Sequence, residues 1–262
     1  MQIDWLEVEN LVKPCPNYNV LIKDLQEVFS YVFIREAYNQ TPKQALEYSK
    51  KLFGCDPKQR YVEAIKRVTC ILEKLEKIGI KDNLDFISQV ETEEKLEAFY
   101  QKYSITVQEI VGFLKYLSFW LLPSKIYLRE LIESDDNEYL AYVTTLRQSG
   151  IRYNLDILEH GRSNEDRENI SKRTGIPKNV IYDLANRADL TRMPWVRGRN
   201  IKHYAKTGYA SFDKLARTNP EIIHKEMASY FKSIGKNMKL AIDLDSHIEY
   251  SKFFPKVIAP DT

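Results

Sequence analysis

Glycine is scarce, with 9 in 262 residues. That argues against the glycine-rich loops on which phosphate- and dinucleotide-binding folds depend. No phosphate-binding glycine loop and no Gly-x-Ser-x-Gly elbow occurs. Cysteine is also sparse. Cys15, Cys55 and Cys70 are odd in number and widely spaced, which is neither a disulfide framework nor a metal ladder. They read as small buried hydrophobes in a reducing compartment. The four histidines, His160, His203, His224 and His247, stand apart without metal-ligand spacing. No metal site, cofactor or catalytic residue is therefore expected, and the chain reads as non-enzymatic.

A long hydrophobic run is missing too. The most apolar stretch, Ile110 to Leu122, has thirteen residues and contains Lys115, whereas a membrane span needs roughly 20. It reads as a buried core helix. The start, MQIDWLEVEN, is acidic and lacks the basic entry and apolar core of a signal peptide. The expectation is a cytoplasmic protein without a membrane partner. Hydrophobic content of 44% and charged content of 29% are those of a folded chain.

What the sequence does contain is helix signals. Thr41-Pro42 with Gln44, Thr106 with Glu109 and Ser163 with Asp166 are box-like starts, and Asp56-Pro57 is a further start. From Tyr61 through Ala64, Ile65, Val68, Ile71, Leu72, Leu75 and Ile78, apolar residues recur at steps of three and four, marking one face to be buried. Gly79-Ile80, Gly150-Ile151, Gly175-Ile176 and Gly208-Tyr209 each follow helix formers, the pattern of a left-handed glycine cap with an apolar residue folding back. Only Val28 to Ile34 (VFSYVFI) could hide a strand, and its flanks favour helix. The expected fold class is all-α.

The chain also repeats. Shifted by 71 positions, Gly79–Pro123 aligns with Gly150–Pro194 without a gap, with ten identical pairs over 45 positions. The identities include the Gly-Ile start, the Asn-Leu-Asp triplet (Asn83, Leu84, Asp85 against Asn154, Leu155, Asp156) and the closing proline. Apolar positions correspond as well, so the buried face is preserved. Asp85 and Asp156 read as cap or turn elements. A shorter third start follows at Gly208. Small helical units of this kind bury their apolar faces by stacking on neighbours.

The stretches GIRYNLDILEHG, SKRTGIPKNVIYDLANRADLTRMPWV and YAKTGYASFDKLARTNPEII, about a third of the chain, resemble the uncharacterised domain-of-unknown-function 4332 family of the helix-hairpin-helix superfamily. The resemblance implies tandem helical hairpins and, for the superfamily at large, non-specific contact with nucleic-acid backbone. In that hairpin a Pro-Gly-Val-Gly-type turn lets backbone N–H groups approach a phosphate. This chain departs from it: Pro194 and Val196 fit, but Trp195 and Arg197 fill both glycine positions, and Gly198 lies one residue later.

Charge points to the same region. Gly79–Pro123 has 4 basic and 7 acidic residues; Gly150–Pro194 has 8 and 7; Trp195–Leu240 has 10 and 3. The overall net charge of +2 hides a basic C-terminal third. Arg187, Arg192, Trp195, Arg197, Gly198, Arg199, Lys202 and Lys206 form the candidate nucleic-acid-binding set, with Arg and Lys for phosphates and Trp195 for stacking. Arg199, Lys202 and Lys206 share one helical side.

The expected organisation is a helical N-terminal region at 1–55, a first helical repeat at 56–130, a second with the basic hairpin at 131–240, and a tail at 241–262. The first functional reading is sequence-independent binding of DNA or RNA. The alternative is a helical protein–protein adaptor, binding another protein or itself through an aromatic patch that includes Trp5, Tyr31 or Phe33. An enzyme with a site assembled from distant residues is the third reading, and no motif supports it.

Overall fold

The computed structural model describes residues 3–55 and 59–261. The expected start at Asp56-Pro57, and the side chain of Tyr61, lie outside the described residues. The chain divides into two compact units, Met1–Pro123 and Ser124–Thr262.

Unit 1 contains α1 (Trp5–Leu11), α2 (Tyr18–Phe29), α3 (Val32–Tyr38), α4 (Pro42–Gly54), α5 (Gln59–Lys77), α6 (Asn83–Val90), α7 (Glu93–Tyr103) and α8 (Val107–Tyr116). The VFSYVFI stretch is helical, interrupted at Ser30-Tyr31 between α2 and α3. Thr41 and Thr106 both form the expected capping boxes, with Gln44 and Glu109. The apolar face of α5 is buried at Val68, Ile71, Leu72 and Leu75, where the helix packs on α4 and α8. Helix α8 continues as a π-helical segment, Leu117–Leu121. Ile110, Phe113, Leu114 and Leu117 are all at most 1% exposed, so the most apolar run is core. Full burial of each such side chain contributes about 1.5–3 kcal/mol.

Unit 2 opens with a short 3₁₀ turn, Leu128–Leu131. It continues with α9 (Asn137–Gln148), α10 (Asn154–His160), α11 (Asn164–Thr174), α12 (Lys178–Leu190), α13 (Gly198–Thr207), α14 (Phe212–Arg217), α15 (Pro220–Ser233), α16 (Met238–Ala241) and α17 (Leu244–Phe253). Helix α12 is central: α10, α11, α13, α14 and the 3₁₀ turn all pack on it. Its Ile181, Leu184, Ala185 and Ala188 are fully buried.

The 71-residue correspondence is visible in the backbone. α6 and α10 start at equivalent positions, and α7 and α11 span equivalent residues from end to end. Gly79, Gly150, Gly175 and Gly208 all take positive φ, as does Gly235. After Gly79 and Gly150 the same turn closes: Ile80 N–H donates to Leu75 O at 3.0 Å, and Ile151 N–H to Leu146 O at 2.9 Å. This is the hydrogen bond of a Schellman cap. Where the second copy has Gly175 the first has Ser104, which adopts φ 55° and ends α7 in the same left-handed way. Asp85 and Asp156 are turn elements, their carboxylates accepting from Lys81 N–H and Arg152 N–H, both at 2.8 Å. All described residues outside helices are turns and loops, apart from one antiparallel bridge between Tyr127 and Tyr153.

Two expectations need correction. The cysteines are not core: Cys15 and Cys55 are half-buried and Cys70 is exposed. Of the aromatics named for a partner-binding patch, Phe33 is fully buried, because α3 turns it inward. Trp5 packs edge-on against Tyr18, with ring centroids 6.0 Å apart.

Candidate functional site

The basic region is built around the loop from α12 to α13. The loop leaves α12 through successive turns, with Thr191 N–H donating to Ala188 O and Arg192 N–H to Asp189 O. At Trp195 the backbone takes φ 65°. That is the left-handed conformation glycine adopts without cost and a bulky residue rarely adopts. Trp195 stands in this conformation with 51% of the residue exposed. Val196 is fully buried and anchors the loop. Arg197 then caps α13: its N–H donates to Asn200 Oδ1 at 3.0 Å.

Gly198, one residue past the second glycine position, is the first residue of α13. It is buried, and a Cβ there would sit 2.3 Å from Glu130 O. Glycine is required because the α13 backbone lies directly against the 3₁₀ turn.

Helix α13 buries Asn200, Ile201, His203 and Tyr204 and turns its cations outward. Arg197, Arg199 and Lys206 are exposed and Lys202 is half-exposed. Among the described residues, no carboxylate forms an ion pair with any of these four. They repel one another instead. The Arg197 guanidinium is held below its usual range by partial burial and by the Arg199 charge. His203, whose Nδ1 lies 3.1 Å from Tyr230 Oη, is pushed down by burial. Lys236 and Arg199 add to that shift, and Glu133 opposes it. Lys236 thereby joins the same positive field.

The remaining cations of the predicted set serve packing. Arg192 has no exposed side-chain surface. Its Nε pairs with Asp189 at 2.6 Å, its Nη2 donates to Pro255 O at 2.7 Å, and its guanidinium lies 5.0 Å from the Phe212 ring centre. Burial pushes the Asp189 carboxyl upward, partly offset by Arg192. Arg187 is 12% exposed, pairs with Asp183 at 2.7 Å and covers the Tyr139 ring at 4.7 Å. Neither guanidinium is presented to solvent as a phosphate contact.

A second group, not foreseen, adjoins Arg197. Its Nη1 donates to Ser124 Oγ at 3.3 Å, and Ser124 leads into Lys125-Ile126-Tyr127. Tyr127 pairs with Tyr153 through the antiparallel bridge. The two rings lie 4.6 Å apart at 31°, and their hydroxyls are 3.3 Å apart. Lys125 Nζ sits 4.1 Å from the Tyr153 ring centre, and Tyr127 is 49% exposed. The pair joins residues 26 apart through a single bridge, too short to leave an alternating pattern in the sequence.

Each copy also forms a shallow cleft between its two short helices. One, of about 240 Å³, is lined by His160, Asp166, Asn169, Ile170 and Arg173, among others. The other, of about 320 Å³, is lined by Gln89, Lys95, Ala98, Phe99 and Lys102, the same positions shifted by 71. Asp166 is committed to the α11 cap through Ser163. Elsewhere, His224 Nε2 lies 2.7 Å from Asp245 at the surface, and His247 Nδ1 lies 2.7 Å from Tyr204 Oη in the interior. Among the described residues, no group of three or more His, Cys, Asp or Glu is placed to hold a metal ion, and no helix is long and apolar enough to cross a membrane.

No curated protein and no solved structure matches the chain significantly. Residues 140–251, which run from α9 into α17, match the family described as a domain of unknown function, DUF4332.

Proposed function

We propose that this chain is a non-enzymatic, cytoplasmic protein that binds nucleic acid largely independently of sequence, through the α13 surface of tandem helix-hairpin-helix-like units. One observation carries the reading. Arg197, Arg199, Lys202 and Lys206 face outward from one helix without carboxylate partners, whereas Arg187 and Arg192 of the same unit are neutralised in ion pairs. Uncompensated cations on one short helix repel each other, and a polyanion relieves that repulsion. Trp195 adds an aromatic face beside them. The backbone cradle of the glycine-type hairpin is not part of this reading, because side chains stand at both glycine positions. Contact runs through guanidinium and ammonium groups.

The test is binding of fluorescently labelled single- and double-stranded DNA and RNA to the full chain over a salt series. Four phosphate contacts give a slope of log affinity against log salt of about −3 to −4 on duplex DNA. Replacing Arg197, Arg199 and Lys202 together with alanine is expected to abolish binding at moderate salt and flatten the slope. Unchanged binding by the triple variant rejects this surface, and absence of binding at low salt rejects the function.

A further inference from the structure

We infer that the Tyr127–Tyr153 pair is a base-stacking platform that makes the protein prefer single-stranded nucleic acid over duplex; this rests on the nucleic-acid reading above. A stacking platform needs an aromatic face open to solvent, a rigid mount and a cation to follow the strand. The pair supplies the first two, and Lys125 and Arg197 supply the third. Tyr127 is 49% exposed. It is mounted by the antiparallel bridge to Tyr153, by Leu128 N–H donating to Arg152 O at 3.0 Å, and by Asn154 N–H donating to Ile126 O at 2.9 Å. Tyr153 backs it at 4.6 Å, so Tyr127 keeps its orientation when a base approaches.

The platform is continuous with the cationic helix. Arg197, the first cation of α13, is bonded to Ser124. Ser124 is three residues from Tyr127, at most about 11 Å of extended chain. Lys125 lies between them, its ammonium 4.1 Å from the Tyr153 ring centre. Two residues before Arg197 in the chain is Trp195, half-exposed and with a left-handed backbone. Two cations, Arg197 and Lys125, are therefore flanked by two aromatics, Trp195 and Tyr127. In a duplex the π-faces of internal bases are covered by their neighbours, so these aromatic faces are of use only to unstacked bases. Phosphates, by contrast, are equally available in both forms.

The experiment compares three probes of about 16 nucleotides, near the upper site size of a single-strand-binding module: a pyrimidine strand, an abasic strand with the same phosphates, and a blunt duplex. Binding of each to the full chain is read by fluorescence anisotropy. The pyrimidine strand is expected to bind at least fivefold more tightly than the abasic strand. Tyr127→Ala is expected to remove that advantage, while abasic and duplex affinities stay within about twofold. Tyr127→Leu, which keeps apolar packing but has no π-face, guards against loss of fold and is expected to behave the same way. Arg197→Ala is expected to weaken all three. Equal binding of pyrimidine and abasic strands, or unchanged binding by both Tyr127 variants, overturns the stacking platform alone. No binding of any probe overturns the nucleic-acid reading, and the platform with it.

Discussion

Asn154 ties the entry of its unit to the start of α10 with three side-chain hydrogen bonds, and Asn83, 71 positions earlier, makes one at the equivalent place. Asn154 is fully buried. Its Oδ1 accepts from Ile126 N–H at 2.8 Å, and its Nδ2 donates to Ser124 O at 2.9 Å and to Thr191 Oγ1 at 2.7 Å. Asn83 is 2% exposed, and its Nδ2 donates to Tyr38 O at 2.8 Å. Both asparagines do the same job of joining an incoming segment to a short helix, but the second copy relies on it more.

The costs of removal follow from the groups left behind. Asn154→Ala strands the buried Ile126 N–H and the part-buried Ser124 carbonyl and is expected to cost about 3 kcal/mol; Asn83→Ala removes one hydrogen bond from the Tyr38 carbonyl, which keeps the Gln40 N–H, and is expected to cost about 1 kcal/mol. Urea unfolding of the two variants measures the difference. Equal losses, or a larger loss at Asn83, would sink this account of the repeat.

Two glycines outside the cap positions predict opposite outcomes. At Gly198 an added Cβ meets Glu130 O at 2.3 Å and Glu130 C at 3.0 Å, both backbone atoms that cannot step aside alone. Gly198→Ala is expected to destabilise by about 1–3 kcal/mol, as overpacking does. At Gly112, inside α8, no heavy atom lies within 4 Å of the added Cβ. Gly112→Ala is expected to stabilise by about 1 kcal/mol through helix propensity. Thermal melts that move in the same direction for both would contradict the packing described.

His247 makes stability depend on pH. It is 5% exposed, and burial lowers its pKa from 6.5 to about 4, with Asp243 pulling the other way. The unfolded chain therefore binds the proton more readily than the folded one between those values. The folded state keeps its full advantage above pH 6.5 and loses it as pH falls toward 4, by roughly 3 kcal/mol at most. His203 is shifted in the same direction and adds to the slope. His247→Gln, which keeps a polar group opposite Tyr204, is expected to flatten the decline between pH 6.5 and 4.5. Urea midpoints taken across that range decide it, and an unchanged slope in the variant would assign the effect elsewhere.

What could be read from the sequence was local. Gly79, Gly150, Gly175 and Gly208 cap helices because a glycine after helix formers has one common use. Thr41, Thr106 and Ser163 are recognisable because the partner of each lies three residues on. The fate of an arginine is not local. Arg192 and Arg199 look alike as letters, yet Arg192 is sealed by Pro255, 63 residues later, while Arg199 points to solvent. The same holds for Tyr127 and Tyr153, brought together by one bridge, and for the left-handed backbone at Trp195, a residue type that gives no hint of it. Periodicity finds faces, whereas partners far along the chain decide which charges remain available for function.

Arg167 is the extreme case. Its side chain has no exposed surface, and its guanidinium satisfies four backbone carbonyls. Nη1 donates to Gly161 O at 3.2 Å and Arg162 O at 2.9 Å; Nη2 donates to Ala259 O at 3.1 Å and Pro260 O at 3.2 Å. The Tyr182 ring lies 4.7 Å below. Ala259 N–H returns the contact by donating to Arg162 O at 2.9 Å. A planar fork of donors spans such a set, and a single ammonium does not. Arg167→Met is therefore expected to destabilise by about 3 kcal/mol, and Arg167→Lys to recover less than half of that. Asp261 lies 3.6 Å from Nη2 and 3.2 Å from Lys178 Nζ but is 28% exposed, so Asp261→Ala is expected to cost well under 1 kcal/mol. Hydrogen exchange at the Ala259 amide separates the roles: protection should vanish in Arg167→Met and persist in Asp261→Ala. Protection lost in both would make the carboxylate, not the carbonyl array, what holds residues 259–261 in place.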